Sequence, residues 1–395
     1  MRVTRKLSCR QGTIASLVLS DTSNEGWPIS SEVGNTNWTS EFAIPTAKAM
    51  GHPTPRITCV GALVAGMILA VGSSGRAQDV TASTDPPPEL TPAVRAAVDR
   101  GLEWLAKKQS ADGSYGSDGH YGRHVGVTGL AGLAFMSAGH MPGRGQYGEV
   151  VDGCVRFVLS SRSESGLLAA ETSHGPMYGH GFATLFLAEV YGMTDRAEIR
   201  ESLRKAVRLI VATQNEQGGW RYQPVRADAD LSVTICQVMA LRAARNAGLT
   251  VPKTTIDRAI QYVKDSQNPD GGFRYMLESG SSAFARSAAG VAALQYAGEY
   301  DTEEIERGIE YLLGFQPGKG QNASHYFYGH YYASQAMFLR GGKAWETWWP
   351  AVRDEFLGRQ AGEGYWRGQA GREYGTAMAL IVLQIPNRLL PIFQK

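Results

Sequence analysis

Asp228 and Asp230 stand two residues apart, immediately ahead of the apolar run Leu231 to Leu241, in a chain of 395 residues. Two carboxylates held close together away from water share a proton, which lifts one of them towards the range a general acid needs. One of the two is then a candidate general acid and the other its partner. The structural alternative is that Asp230 simply caps the helix starting at Leu231 or Ser232. The same register recurs elsewhere. Counting back four residues from Thr128, Thr184, Thr234, Ser287, Ser334 and Thr376 gives His124, His180, Asp230, Ala283, His330 and Arg372. All but Ala283 are ionisable, with His174 and His325 nearby, which is more polarity than an apolar core requires. Tyr178, Phe182 and Phe186 precede one of these positions and follow it closely, and Tyr326, Phe327, Tyr328, Tyr331 and Tyr332 surround another. Rings lining a cavity hold an apolar ligand or a carbocation, although core packing accounts for most of them equally well. His124, His180, His330, Arg372, Tyr178 and Tyr331 are accordingly the expected substrate-binding set.

Those positions are carried by a repeat, which has to be settled first. A glutamine followed by a Gly-rich turn recurs at Gln109, Gln214, Gln267, Gln316 and Gln360, and Arg162 stands at the place of a sixth copy. Successive steps are 53, 52, 53, 49 and 44 residues. Upstream, four copies share a basic residue, a bulky apolar residue with an aliphatic one, and the glutamine: Arg100, Trp104, Leu105, Gln109; Lys205, Leu209, Ile210, Gln214; Arg258, Tyr262, Val263, Gln267; Arg307, Tyr311, Leu312, Gln316. Apolar residues recur at three and four before each turn and continue more densely after it, so each repeat predicts a helical hairpin with an amphipathic outer helix and an apolar inner one. Glycine supplies the reversal. Tyr115, Trp220, Phe273 and Trp366 pack back over the neighbouring hairpin, and the glutamine bonds exposed backbone groups at helix ends.

These residues resemble the QW repeat of squalene-hopene cyclases and the related repeat of protein prenyltransferase beta subunits. The likeness covers Val94 to Ile385 and implies an all-α, closed (α/α)6 toroid of six hairpins. In such a ring the inner helices run parallel, and their N-termini, which carry partial positive charge, surround one mouth. Asp228 and Asp230 resemble part of the Asp-x-Asp-Asp motif whose middle aspartate protonates the polyene, and Asp230 matches that acid. Leu231 stands where the third aspartate belongs, and the second repeat has no clear aromatic after Gly166. The prenyltransferase zinc set needs a later cysteine, and none follows Cys236.

No cofactor or metal is expected. His124, His180 and Asp230 come from three consecutive hairpins and are zinc-type ligands, but neighbouring helix axes lie about 8–10 Å apart, which leaves polar residues at helix starts as the default. The 39 basic and 37 acidic residues argue against nucleic acid as a partner. Ile57 to Gly72 is an apolar run after Arg56 and before small residues at Gly75 and Ala77, as in a secretory signal. The expected organisation is an extension over 1–49 ahead of a start at Met50, a signal over 50–77, a Pro-rich linker over 78–92, the toroid over 93–386 and a tail over 387–395. The location is then extracytoplasmic, with the membrane touched only through that segment if it is kept. Beyond residue 77 the balance is 32 basic against 33 acidic residues, with Cys154 and Cys236.

Three function classes follow. The first is a terpenoid cyclase-like or prenyltransferase-like protein acting on an apolar or isoprenoid small molecule by acid catalysis, which requires a deep cavity reaching Asp230. A non-catalytic binding toroid is the second, favoured by a filled ring. The third is a polysaccharide hydrolase or lyase on the same barrel, with Glu171 or Glu373 as the second carboxylate.

Overall fold

The computed structural model describes residues 89–119, 121–170, 175–194, 196–317 and 324–394. The expected extension, signal segment, most of the linker, Glu171 and His174 lie outside them. The described residues form twelve α-helices, alternating between an outer and an inner layer. The outer helices are α1 (Pro92–Ala106), α3 (Gly148–Ser160), α5 (Ala197–Thr213), α7 (Lys253–Asp265), α9 (Glu303–Leu313) and α11 (Gly342–Arg359). The inner ones are α2 (Val125–Met136), α4 (Met177–Thr194), α6 (Leu231–Asn246), α8 (Phe284–Ala297), α10 (Tyr326–Arg340) and α12 (Arg372–Gln384).

The two layers follow from side-chain patterning. α1 buries Val94, Ala97, Val98, Leu102 and Leu105 along one stripe, whereas every residue of α2 is buried. A helix apolar all round must be covered on all sides. Each inner helix packs on the next, and α12 packs on α2, so the ring closes. Glycines set the close approach of α2 to α4: Gly126 faces Gly179, Gly129 faces Phe182 and Ala183, and Gly132 faces Phe186. Residue numbers rise together along both helices, which makes them parallel. The all-α toroid of six hairpins is what the structure shows.

The repeat glutamine is a staple between hairpins. Gln214 Nε2 donates to Gly218 O within its own turn (2.8 Å) and to Thr255 O on the next outer helix (2.9 Å). Gln109 does the same to Gly113 O and Val150 O, Gln267 to Gly271 O and Glu304 O, and Gln360 to Gly364 O and Ala97 O, the last joining the final hairpin to the first. The repeat arginine completes two of the staples, since Arg307 donates to Gln267 Oε1 (2.6 Å) and Arg100 to Gln360 Oε1. At Arg162 the guanidinium reaches Ser202 Oγ on the next outer helix (3.4 Å), so a different side chain keeps the link.

The turn aromatics anchor in the same way. Trp220 Nε1 donates to Ile210 O and Trp366 Nε1 to Phe356 O, both at 2.7 Å. Each turn also needs glycine. Gly218 sits at φ 99°, and a Cβ there would come within 2.2 Å of Arg258 O.

Two further ties complete the ring. Asp118 caps α12, accepting from the Arg372 and Glu373 amides, while Glu373 accepts from the Gly116 amide and Ser117 Oγ. The segment beyond 386 is more than a tail: Leu390, Ile392 and Phe393 are buried in the same core, and the Ile392 amide faces Glu189 Oε2 at 3.5 Å. Burial pushes that carboxyl up to about 8.

Candidate functional site

The chain entering α6 sets the geometry at Asp230. Its amide donates to Trp220 O (3.0 Å), its carbonyl accepts from the Thr234 hydroxyl (2.7 Å), and its Oδ1 accepts from the Val233 amide (2.9 Å), so the residue is the N-cap of α6. Capping uses one oxygen. Oδ2 is buried and is not used by that cap; the Arg221 Nε lies 3.8 Å away, and the Tyr275 hydroxyl is near enough to act on the carboxyl. Burial pushes the Asp230 carboxyl up to about 7, opposed by the Val233 amide and the Arg221 charge. An aspartate in that state is about half protonated at pH 7, where an ordinary one is ionised.

Asp228 is not the proton-sharing partner expected from the sequence. It is about half exposed and pairs with Arg221, which stands between the two carboxylates. The Arg221 guanidinium lies over the Tyr222 ring (5.2 Å) and the Tyr275 ring (6.0 Å), whose hydroxyls hydrogen-bond to each other. The same two residues cap neighbouring inner helices through their carbonyls, Tyr222 O accepting from Met177 N at the start of α4 and Tyr275 O from Leu231 N at the start of α6. The Tyr178 ring lies 6.0 Å from that of Tyr222, tilted by 33°, and Tyr328 donates to Ser232 O (2.8 Å). Asp230 therefore lies beneath a mouth lined by Tyr178, Tyr222, Tyr275 and Tyr328, each partly exposed. Burial raises the phenol pKa of all four, with the Asp230 charge adding to the effect.

The other positions in the four-before-Thr register do not converge on that mouth. His124 caps α2, its Nδ1 accepting from the Gly126 and Val127 amides (3.1 and 3.4 Å). His180 lies one turn inside α4, and its Nδ1 accepts from Leu168 N at the joint with the outer layer (3.1 Å). His330 lies one turn inside α10 among Tyr326 (4.4 Å), Phe284, Trp348 and Phe356, again towards the outer layer. Burial lowers their pKa values to about 4, 4 and 3, so all three are neutral. Arg372 is the first residue of α12, tied to Asp118 and stacked over Tyr365 (5.4 Å). Among the described residues no group of three or more His, Cys, Asp or Glu is placed to hold a metal.

Tyr331 is at the centre of the ring rather than at its mouth. Its ring meets Phe182, from the helix opposite, at 6.1 Å, and Cys236 Sγ meets Tyr332 Oη at 3.4 Å. Tyr331 and Tyr332 are fully buried and Phe182 nearly so, so side chains close the middle of the ring at this level.

Arg221, Tyr222 and Tyr275 were missed from the sequence. The signal was present in the recurrence of aromatic-Arg-Tyr, Trp220-Arg221-Tyr222 and Phe273-Arg274-Tyr275, in two successive repeats.

The description "Prenyltransferase alpha-alpha toroid domain" matches residues 88–221, and "Squalene-hopene cyclase C-terminal domain" matches residues 183–352. Taken together the two matches run from residue 88 to residue 352, so this part of the chain is similar to the repeats of prenyltransferases and squalene-hopene cyclases. A curated relative, drimenyl diphosphate synthase of Streptomyces showdoensis, is 32% identical over 128 residues, 32% of this chain and 23% of that protein. The match thus spans about a quarter of that relative's length. Among solved structures, a type II terpene cyclase from Scytonema in complex with geranylgeranyl dihydroxybenzoate superposes with a TM-score of 0.54 at 13% identity, covering 77% of this chain and 99% of that one. Cellobiose 2-epimerase from Bacillus thermoamylovorans gives 0.56 at 14%, covering 75% and 99%. At these identities both show the shared toroid fold alone.

Proposed function

We propose that the protein is a terpenoid cyclase-like toroid that takes an apolar, isoprenoid-type small molecule at its tyrosine-lined mouth, and that Asp230 supplies the proton that starts a cyclisation or isomerisation there. The observation that carries the reading is the Asp230 carboxyl itself: buried, holding its proton to about pH 7, with one oxygen beyond the needs of its cap. Proton transfer from such a group to an alkene carbon leaves a carbocation on the substrate and a carboxylate on the enzyme. The faces of Tyr178, Tyr222 and Tyr275 suit the cation, and Arg221 suits the carboxylate. Loss of a proton from the substrate to Asp230 closes the cycle. Tyr275, whose hydroxyl is bonded to that of Tyr222, fits a relay between the buried acid and the mouth.

The contact of Phe182 with Tyr331 favours a second reading, in which the mouth binds its ligand without turnover, because the ring centre offers no deep channel at that level. The polysaccharide reading loses support, since Glu373 is occupied by Gly116 and Ser117. Export through residues 50–77 is part of the proposal.

The test is incubation of the protein with squalene and with bacterial lipid extract, for wild type and Asp230→Asn. New product from wild type alone supports the acid role. Equal product from both removes Asp230 from the mechanism, and retention of a lipid by both without product supports the binding reading.

A further inference from the structure

Beside the mouth, between the start of α10 and the turn leading into α12, is a cavity of about 290 Å³ lined by His325, Tyr326, Phe327, Arg359, Arg367 and Gln369. Its charged groups are unbalanced. Arg359 lies over the Tyr326 ring at 4.4 Å and pairs with Glu355 (2.5 Å), while no carboxylate among the described residues pairs with the exposed Arg367. Arg286 adds a third guanidinium near enough to act on His325. Beneath the Tyr326 wall, His330 is almost wholly buried, and its Nδ1 has no hydrogen-bond partner among the described residues. The cavity wall thus gathers guanidinium groups, a primary amide and an imidazole, and no carboxylate among the described residues lines it.

We infer that this cavity is a binding site for a small oxyanion, a phosphate, sulfate or carboxylate group, held by Arg359 and Arg367 with Gln369 as a neutral donor. Guanidinium groups present forked N–H donors that match such oxygens. The Gln369 amide already bonds His325 Nδ1 through Nε2 (2.6 Å), which fixes both side chains at the cavity wall. His325 supports the assignment. Burial first, and then the Arg286 charge, hold its pKa below the usual value, and an anion seated between the arginines offsets that charge. The groups facing His325 and the cavity are Arg286 from α8, Tyr326 from α10, Glu355 and Arg359 from α11, and Arg367 and Gln369 from the following turn. The oxyanion is either free or the head group of a larger molecule whose apolar part lies on Tyr326 and Phe327. The inference does not depend on Asp230 or on turnover, so it stands or falls separately from the proposed function.

The experiment is isothermal titration of the full chain with inorganic phosphate, sodium acetate and butyl phosphate at constant ionic strength, with chloride as the reference. Arg367→Gln, whose side chain is exposed, is the first variant, and Arg359→Gln is the second, each checked for an unchanged melting temperature without anion. Expected are saturable binding by the wild type, about a tenfold loss of affinity in either variant, and an upward move of the His325 titration on adding phosphate, read by NMR. Tighter binding of butyl phosphate identifies a head group, and equal binding a free anion. No saturable binding of any probe, or equal affinity in wild type and both variants, overturns the assignment.

Discussion

In the third hairpin Gln214, Trp220 and Thr234 join the turn to the inner helix and to the next repeat; in the second hairpin Arg162, Leu168 and His180 take over these tasks, His180 from the register of Asp230 rather than that of Thr234. The backbone needs are the same in both. The amide of the turn residue has to be satisfied, and Thr234 Oγ1 accepts it from Trp220 (3.1 Å), whereas His180 Nδ1 accepts it from Leu168. With the histidine in that place, Thr184 Oγ1 is left without a partner among the described residues. The substitution shows which parts of the repeat are architecture, because other side chains perform them. It also sets Asp230 apart, since the residue at its register in the second hairpin, His180, is a neutral imidazole tied to the Leu168 amide.

The comparison is broken most severely by truncating the aromatic. Trp220→Ala removes a fully buried ring and its bond to Ile210 O, and is expected to cost about 3–5 kcal/mol in urea unfolding; Leu168→Ala has no side-chain bond to lose and belongs at the low end of about 2–5 kcal/mol. Equal losses would show that the two turns carry the same load. Next comes pH. The unfolded chain releases the Asp230 proton near 3.8, whereas the fold keeps it to about 7. The unfolded state binds fewer protons between those values, so this group's contribution to stability falls as pH rises from about 4 to 7 and levels off above. Asp230→Asn keeps a capping oxygen and should remove that fall, whereas His180→Asn should steepen it, because burial holds the His180 pKa to about 4 and this histidine's own contribution rises with pH from about 4 to its ordinary range. Gln214→Ala is expected to cost roughly 2 kcal/mol, for two lost hydrogen bonds and two orphaned carbonyls, against about 0.5–1 kcal/mol for Arg162→Ala. The smallest effect belongs to Asp228→Asn, within about 0.5 kcal/mol, because its ion pair is exposed. A larger loss there would return Asp228 to the buried site.

The ring was legible in the sequence because it depends on spacing alone. The staple Gln360 to Ala97 closes the circle through the same residue type that Gln214 uses, and the inner helices declare themselves by being apolar all round. Rotation about the helix axis was less legible. Aligning on Thr and Ser gave the right register, yet α4 and α10 begin a turn earlier than α6, so His180 and His330 fall inside their helices and face the outer layer. Asp230 was readable as a cap, which the structure shows, and as an acid, which is the role proposed for it. Its neighbours Arg221, Tyr222 and Tyr275 were signalled only by the repeated aromatic-Arg-Tyr, and Tyr275 meets it only after the next hairpin has packed. Nor could a pattern along one helix show that Phe182 meets Tyr331 across the ring, or that Leu390, Ile392 and Phe393 finish the core.

The central claim is that Asp230 keeps its proton to about pH 7 beneath the mouth. Carbon-13 NMR of the side-chain carboxyls, with Asp230→Asn used to assign the resonance, measures this directly. A titration midpoint near 7 that is missing from the variant is the predicted result. A midpoint at or below the ordinary aspartate range would contradict the account, leaving Asp230 an ionised helix cap.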